Sequence, residues 1–247
     1  MMGWKSMRKS DWIRTLRDGM GSLRNGVFYC KWKFPTARPF FNPTYAEKVN
    51  KKILEEIVST IKNYKSILWS PIKNLEQKYP DVCFSCKEMA VYSLEQRSVF
   101  KTMGALSIKT VNSLKSLSVW GQIVSKIYPR YDVDFILHSF KDNIHNKNIS
   151  YYIFYKDDVP VGCAEIFRGK EYSIMYKLGV LPDYRRQGLG TEAIKQVLNK
   201  DIKNKRCKFL LIPSEDGINI YKRLGFKLHE NLYIYKLKHS DWLNANF

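Results

Sequence analysis

From Leu178 to Thr191 the chain reads Leu-Gly-Val-Leu-Pro-Asp-Tyr-Arg-Arg-Gln-Gly-Leu-Gly-Thr, which is the end of an apolar strand, a tight turn and a helix start. Ala193, Ile194, Val197, Leu198 and Ile202 follow with the spacing of one buried helical face. A turn of this kind aims free backbone N–H groups and the positive end of a helix dipole at one point, where a phosphate binds well. Gly188 and Gly190 let the backbone approach the anion with no Cβ in the way. Arg185 and Arg186 add charge and forked donors suited to phosphate oxygens.

The context makes the turn specific. Arg185-x-x-Gly188-x-Gly190 follows Val180-x-Pro182 between a strand and a helix, and it resembles the signature of the GNAT acetyltransferases. Further on, the segment from Ser214 to Phe226, with Tyr221 and Leu224-Gly225-Phe226, resembles the second hallmark of that family. Ser214 stands where the family has Asn, and Gly217 where it has Ala. The resemblance implies that Arg185, Arg186, Gln187, Gly188, Leu189, Gly190 and Thr191 grip the pyrophosphate of acetyl-coenzyme A. It also implies that backbone groups of Leu178 and Val180 pair with the pantetheine arm, and that Ser214 completes the cofactor set.

Acyl transfer from a thioester needs an amine free of its proton, a polarised carbonyl and a proton for the departing thiolate. Tyr221 matches the position from which a Tyr in many relatives protonates the thiolate. The strand before the turn, Tyr172 to Lys177, lacks the carboxylate that many relatives use as general base. Glu165 on the preceding strand and Glu171 at the turn are the nearest candidates, with Glu165 the first of them; a water relay or a substrate amine of low pKa would serve as well.

These residues need a scaffold, and the chain from about residue 105 reads as one. Ala105–Val111 alternates as a strand, Leu117–Ile127 and Val133–Asn143 are helical, and Tyr151–Tyr155, Val161–Phe167 and Tyr172–Leu181 are strands joined by turns. After the Arg/Gly turn and its helix come Phe209–Ile212, a short helix and the strand Tyr233–Tyr235. The result is an α/β (α+β) domain over 105–247, a mixed, mostly antiparallel sheet flanked by helices, in the order of the GNAT fold.

Residues 1–100 read as a smaller α/β lobe without a phosphate turn. Gly26–Phe34 alternates as a strand, and Asn42-Pro43-Thr44 reads as the cap of a helix with the stripe Val49, Ile53, Ile57 and Ile61. Ser66–Trp69, Val82–Phe84 and Met89–Leu94 read as strands, with a short helix from Leu75. This order is similar to the second half of a GNAT sheet, as in two-lobed relatives, so the lobe reads as a degenerate GNAT-like one. The first 25 residues read as a basic arm.

Composition narrows the function classes. Of 247 residues 45% are hydrophobic, with 16 Tyr, 13 Phe and 6 Trp, which excludes a disordered chain. No apolar run reaches the roughly 20 residues of a membrane span, and no secretory signal follows the basic N-terminus, so a cytoplasmic protein is expected. Five cysteines do not make a disulfide framework. Cys83 and Cys86 form a C-x-x-C without a second pair, the four histidines are scattered, and no metal is expected. The net charge of +19 favours anionic partners, among them coenzyme A and nucleic acid. Its densest cluster, Lys200, Lys203, Lys205, Arg206 and Lys208, reads as a solvated face at a helix end. The expected function is acetyl-coenzyme A-dependent acetylation of a small-molecule or peptide amine. The alternative is a GNAT-fold binding or regulatory protein with an RNA or protein partner.

Overall fold

The computed structural model describes residues 13, 21–24, 27–30, 43–61, 67–129 and 131–237. In chain order its elements are β1 (Gly21–Arg24), β2 (Val27–Cys30), β3 (Pro43–Ala46), α1 (Lys51–Ile61), β4 (Ile67–Ser70), α2 (Leu75–Lys78) and β5 (Cys83–Glu95). They continue with β6 (Ser107–Thr110), α3 (Leu114–Ile127), α4 (Val133–Phe140), β7 (Ile149–Lys156), β8 (Val159–Arg168) and β9 (Ser173–Val180). The last are α5 (Leu189–Lys203), β10 (Lys208–Leu211), α6 (Ile218–Arg223) and β11 (Lys227–Leu237). Contacts group the chain into two units, Met1–Tyr92 with Leu228–Phe247, and Ser93–Lys227. Among the described residues no helix is long and apolar enough to cross a membrane.

In the first unit the strands lie in the order β1-β2-β3-β4-β11-β5. β3 and β4 run parallel, with α1 as the crossover between them. Leu54 and Ile57 of α1 pack with Val27, Leu68, Tyr233 and Tyr235 in one core. Three expectations need correction here. The Asn42-Pro43-Thr44 segment does not cap a helix: Thr44, Tyr45 and Ala46 are buried in a strand between β2 and β4, and Asn50 caps α1 by accepting from the Ile53 N–H at 2.9 Å. Pairing on both sides outweighs the capping pattern. The two strands expected over 82–94 are one strand, β5, whose exposed Lys87 and Glu88 imitated a break. Gly21–Arg24, expected within the basic arm, forms a hairpin with β2; most of the rest of that arm, and residues 31–34 of the expected first strand, lie outside the described residues.

In the second unit β6, β7, β8 and β9 form an antiparallel meander, and β10 joins β9 in parallel. α3 starts on a capping box at Ser113 and Ser116, and α4 on Asp132, whose carboxylate accepts from the Phe135 N–H at 2.6 Å. Trp120 of α3 is fully buried, stacks against Tyr151 and Phe140, and donates from its indole to the Ala164 carbonyl at 3.1 Å. That bond ties α3 to β8. The apolar stripe of α5 behaves as its spacing predicts, with Ala193, Ile194, Val197 and Leu198 all buried.

Candidate active site

The site begins with a fault in the sheet. β8 and β9 pair in register at Gly162 with Val180 and Cys163 with Gly179, then again at Glu165 with Tyr176. Lys177 and Leu178 therefore bulge opposite Ala164 alone, and Lys177 takes a positive φ of 44°. Side chains hold the bulge from both sides. The Cys163 thiol donates to the Lys177 carbonyl at 3.3 Å, and the Tyr128 hydroxyl donates to the Leu178 carbonyl at 2.9 Å. On the other edge, β10 pairs with β9 only at Ser173 and Ile174. Beyond Ile174 the two strands no longer pair.

At the end of β9 a 3-10 turn over Pro182–Tyr184 leads into the Arg/Gly loop. Arg186 and Gly188 both take positive φ, 59° and 77°, which turns the following N–H groups toward one side. Gly188 is the N-cap of α5 and supplies no side-chain acceptor. Among the described residues nothing accepts from the N–H groups of Arg186, Gln187, Gly188, Leu189, Gly190 and Thr191; the next, that of Glu192, bonds to the Gly188 carbonyl at 3.2 Å. A row of bare donors at the positive end of a 15-residue helix forms a cradle suited to an anion. The loop side chains are partly committed. Arg185 donates from Nε to the Val180 carbonyl at 3.1 Å, and Gln187 accepts from Lys156 at 3.0 Å. A Cβ built on Gly190 meets only Ile220 Cδ1, at 3.9 Å, so α6 lies beside the first turn of α5 and the position has room.

α6 carries the second motif. Ser214 shapes its entry, accepting from the Gly217 N–H through both Oγ (3.2 Å) and its carbonyl (3.0 Å). Tyr221 is buried, with its ring edge-on to Phe226 at 5.5 Å. Burial pushes its pKa above the usual phenol value, so it is protonated at neutral pH. No group among the described residues bonds its hydroxyl.

Glu165, on β8, is buried, with only 7% of the residue exposed. Its Oε2 is ion-paired with the Lys177 ammonium, while Oε1 has no hydrogen-bond partner among the described residues. Lys177 lies over the Phe140 and Tyr131 rings at 4.8 and 5.5 Å. Burial alone would lower its pKa, but Glu165 and Tyr131 outweigh burial and leave it raised and charged. Glu171 stands at the other end of β9, paired with Lys208 at 2.8 Å on the surface. Seven residues separate it from Leu178, which is about 23 Å of extended strand.

Three arrangements escaped the sequence reading. The Lys177–Glu165 pair joins residues on neighbouring strands, and only register places them together. Arg206 is not part of a solvated patch: it donates to Ser173 Oγ at 2.9 Å and to the Tyr172 carbonyl at 3.1 Å, beside the fully buried Asp201. The third is a strap of residues 100–106 held along α5 by Glu192, Lys195, Gln196 and Asn199. Their i, i+3, i+4, i+7 spacing was the available signal, but it reads equally as a solvated face.

Residues 118–226, which contain the bulge, the cradle and α6, match the family model described as Acetyltransferase (GNAT) family. That segment of the chain is a GNAT-family domain. Solved GNAT and GNAT-like structures share its fold at low identity. A GCN5-related N-acetyltransferase from Kribbella flavida superposes with a TM-score of 0.60 at 14% identity, over 91% of this chain and 92% of that one. A conserved protein of unknown function from Staphylococcus epidermidis reaches 0.69 at 14%, over 95% and 100%. A GCN5-related N-acetyltransferase from Sphaerobacter thermophilus reaches 0.58 at 11%, over 86% and 76%. No curated protein matches the chain.

Proposed function

We propose that this protein transfers an acetyl group from acetyl-coenzyme A to a primary amine by direct attack within a ternary complex. The row of bare N–H groups from Arg186 to Thr191, set beyond the end of β9, carries the reading. The cradle takes the pyrophosphate, Arg186 adds charge from an exposed side chain, and the pantetheine arm runs along Leu178 and Val180. Ser214 holds the turn into α6.

In the reaction the amine nitrogen forms a bond to the thioester carbonyl carbon, and the carbon–sulfur bond breaks. The thiolate takes its proton from Tyr221, a phenol that is neutral at working pH. The amine gives up its proton to the unbonded Oε1 of Glu165, and solvent restores both groups. No acyl-enzyme is needed. Cys163, the thiol nearest the bulge, has its pKa raised by burial and spends its proton on the Lys177 carbonyl, so it is no nucleophile. The first unit, with no comparable Arg/Gly turn among its described residues, serves as a companion lobe that narrows the choice of amine.

Calorimetric titration with acetyl-coenzyme A tests the reading. Wild type is expected to bind with about micromolar affinity. Gly190→Trp, which fills the cradle from a position with room for a side chain, is expected to abolish binding without unfolding the protein. A folded wild type that does not bind would favour the non-catalytic alternative with an RNA or protein partner. Tyr221→Phe is expected to retain cofactor affinity and lose about a hundredfold or more in turnover; unchanged turnover would remove Tyr221 as the acid.

A further inference from the structure

The connection between β5 and β6 is fastened to the outer face of α5. Asn199 pairs both ways with Phe100, accepting from its N–H at 2.7 Å and donating to its carbonyl at 2.8 Å. One turn on, Lys195 donates to the Lys101 carbonyl at 3.1 Å and Gln196 to the Leu106 carbonyl at 2.7 Å. At the head of the helix the Glu192 carboxylate accepts from the N–H groups of Met103 (2.9 Å) and Gly104 (3.1 Å), and from Gln196 at 3.0 Å. These bonds leave Glu192 only 1% exposed. A carboxylate buried this way is a precise clasp, since both oxygens are committed to named backbone donors.

What the clasp presents is Met103. Its side chain is 69% exposed, and its Cε lies 3.7 Å from where a Cβ of Gly188 would stand. A large apolar side chain is thus fixed at the edge of the anion cradle with its surface open. The helix divides the surroundings of the cradle. Leu189, Ala193, Val197 and Leu198 face the sheet, and the Met103 strap lies on the opposite face.

We infer that Met103 is a specificity-determining residue for the nucleoside end of the cofactor, with Glu192 as its positioning residue. The inference rests on the acetyl-coenzyme A reading above. If the pyrophosphate sits on the N–H row and the pantetheine arm runs inward along Leu178 and Val180, the adenosine leaves on the outer side, past Met103. A thioether against an aromatic base is a favourable pairing, and a mobile unbranched side chain adapts to the ring.

The test is calorimetry with two probes, acetyl-coenzyme A and S-acetyl 4′-phosphopantetheine, which keeps one phosphate of the pyrophosphate and lacks the 3′-phosphoadenosine monophosphate part. Met103→Ala is expected to weaken acetyl-coenzyme A binding roughly threefold to tenfold and to leave the shorter thioester unchanged. Met103→Leu is expected to recover most of the loss. Glu192→Gln is expected to reproduce it, and the double variant to add little, as for two residues acting through one contact. Unchanged affinity in Met103→Ala, or an equal loss for both probes, overturns the inference while leaving the cofactor reading intact. A folded wild type that binds neither probe overturns both.

Discussion

At Ser173, the first residue of β9, every polar group has a partner. The Ser173 hydroxyl donates to Asp201 at 2.7 Å and accepts from Arg206 at 2.9 Å. Asp201 also takes a charge-assisted bond from Arg168 at 2.8 Å, and Arg168 donates onward to Ser150 and Tyr152 at 2.8 and 3.1 Å. At Val180, the last residue of the same strand, β10 has gone, a bulge has turned the backbone, and the next N–H groups after the turn meet nothing. One strand and one helix thus join a closed end to an open one. Satisfied buried charge marks the end that holds the domain together, and bare donors mark the end that can hold something else.

The contrast can be broken at the closed end first. Asp201→Ala strands two arginines in a buried network, and denaturant unfolding is expected to show a loss of about 3–5 kcal/mol. A loss under about 1 kcal/mol would mean that the network is ornamental. At the open end, Gly162→Ala would place a Cβ 2.6 Å from the Gly179 carbonyl, which forces β8 from β9 beside the bulge. Overpacking of this kind is expected to cost about 1–3 kcal/mol by the same measurement, and it should weaken acetyl-coenzyme A binding as well.

Alkali should sharpen the contrast further. Burial raises the Cys163 thiol above its ordinary 9.0, so the folded state resists its ionisation. The sign follows: this stabilisation is fully present below pH 9.0 and is lost progressively as pH rises above it. Unfolding free energies measured on both sides of that point are expected to fall less steeply in Cys163→Ala than in wild type. Equal slopes would show that the thiol does not contribute. The smallest effect on folding is expected from Gly190→Ala. Its Cβ has only one ordinary contact, and alanine suits a helix better than glycine, so stability should hold or rise by up to about 1 kcal/mol. Binding of acetyl-coenzyme A should nonetheless weaken, because the cradle loses its close approach.

The open end was more legible than the closed one. The cradle is made by consecutive residues whose types dictate a turn, two glycines and a helix start, and the apolar stripe of α5 follows at once. The α6 segment with Tyr221 was legible for a similar reason, since it is short and ends in a glycine of positive φ, Gly225 at 94°. The closed end draws Ser150, Arg168, Ser173, Asp201 and Arg206 from four elements and a loop. Arg206 looked like one more cation at a helix end because nothing local distinguishes a charge that will be buried. The misreading of residues 42–46 has the same origin, as a capping pattern was overruled by strands on both sides.

The sequence by itself determined the anion cradle, the helix behind it, the acid candidate on α6 and the order of elements around them, because turn chemistry and amphipathic period act over a few neighbouring residues. Tertiary structure decided that Glu165 pairs with Lys177, that β9 and β10 stop pairing beyond Ile174, and that Met103 is clasped by a residue 89 positions away. Those outcomes depend on strand register and on what a folded surface covers. Local pattern carries no record of either, since a charge bonded across the fold and a charge left in water are written with the same residue.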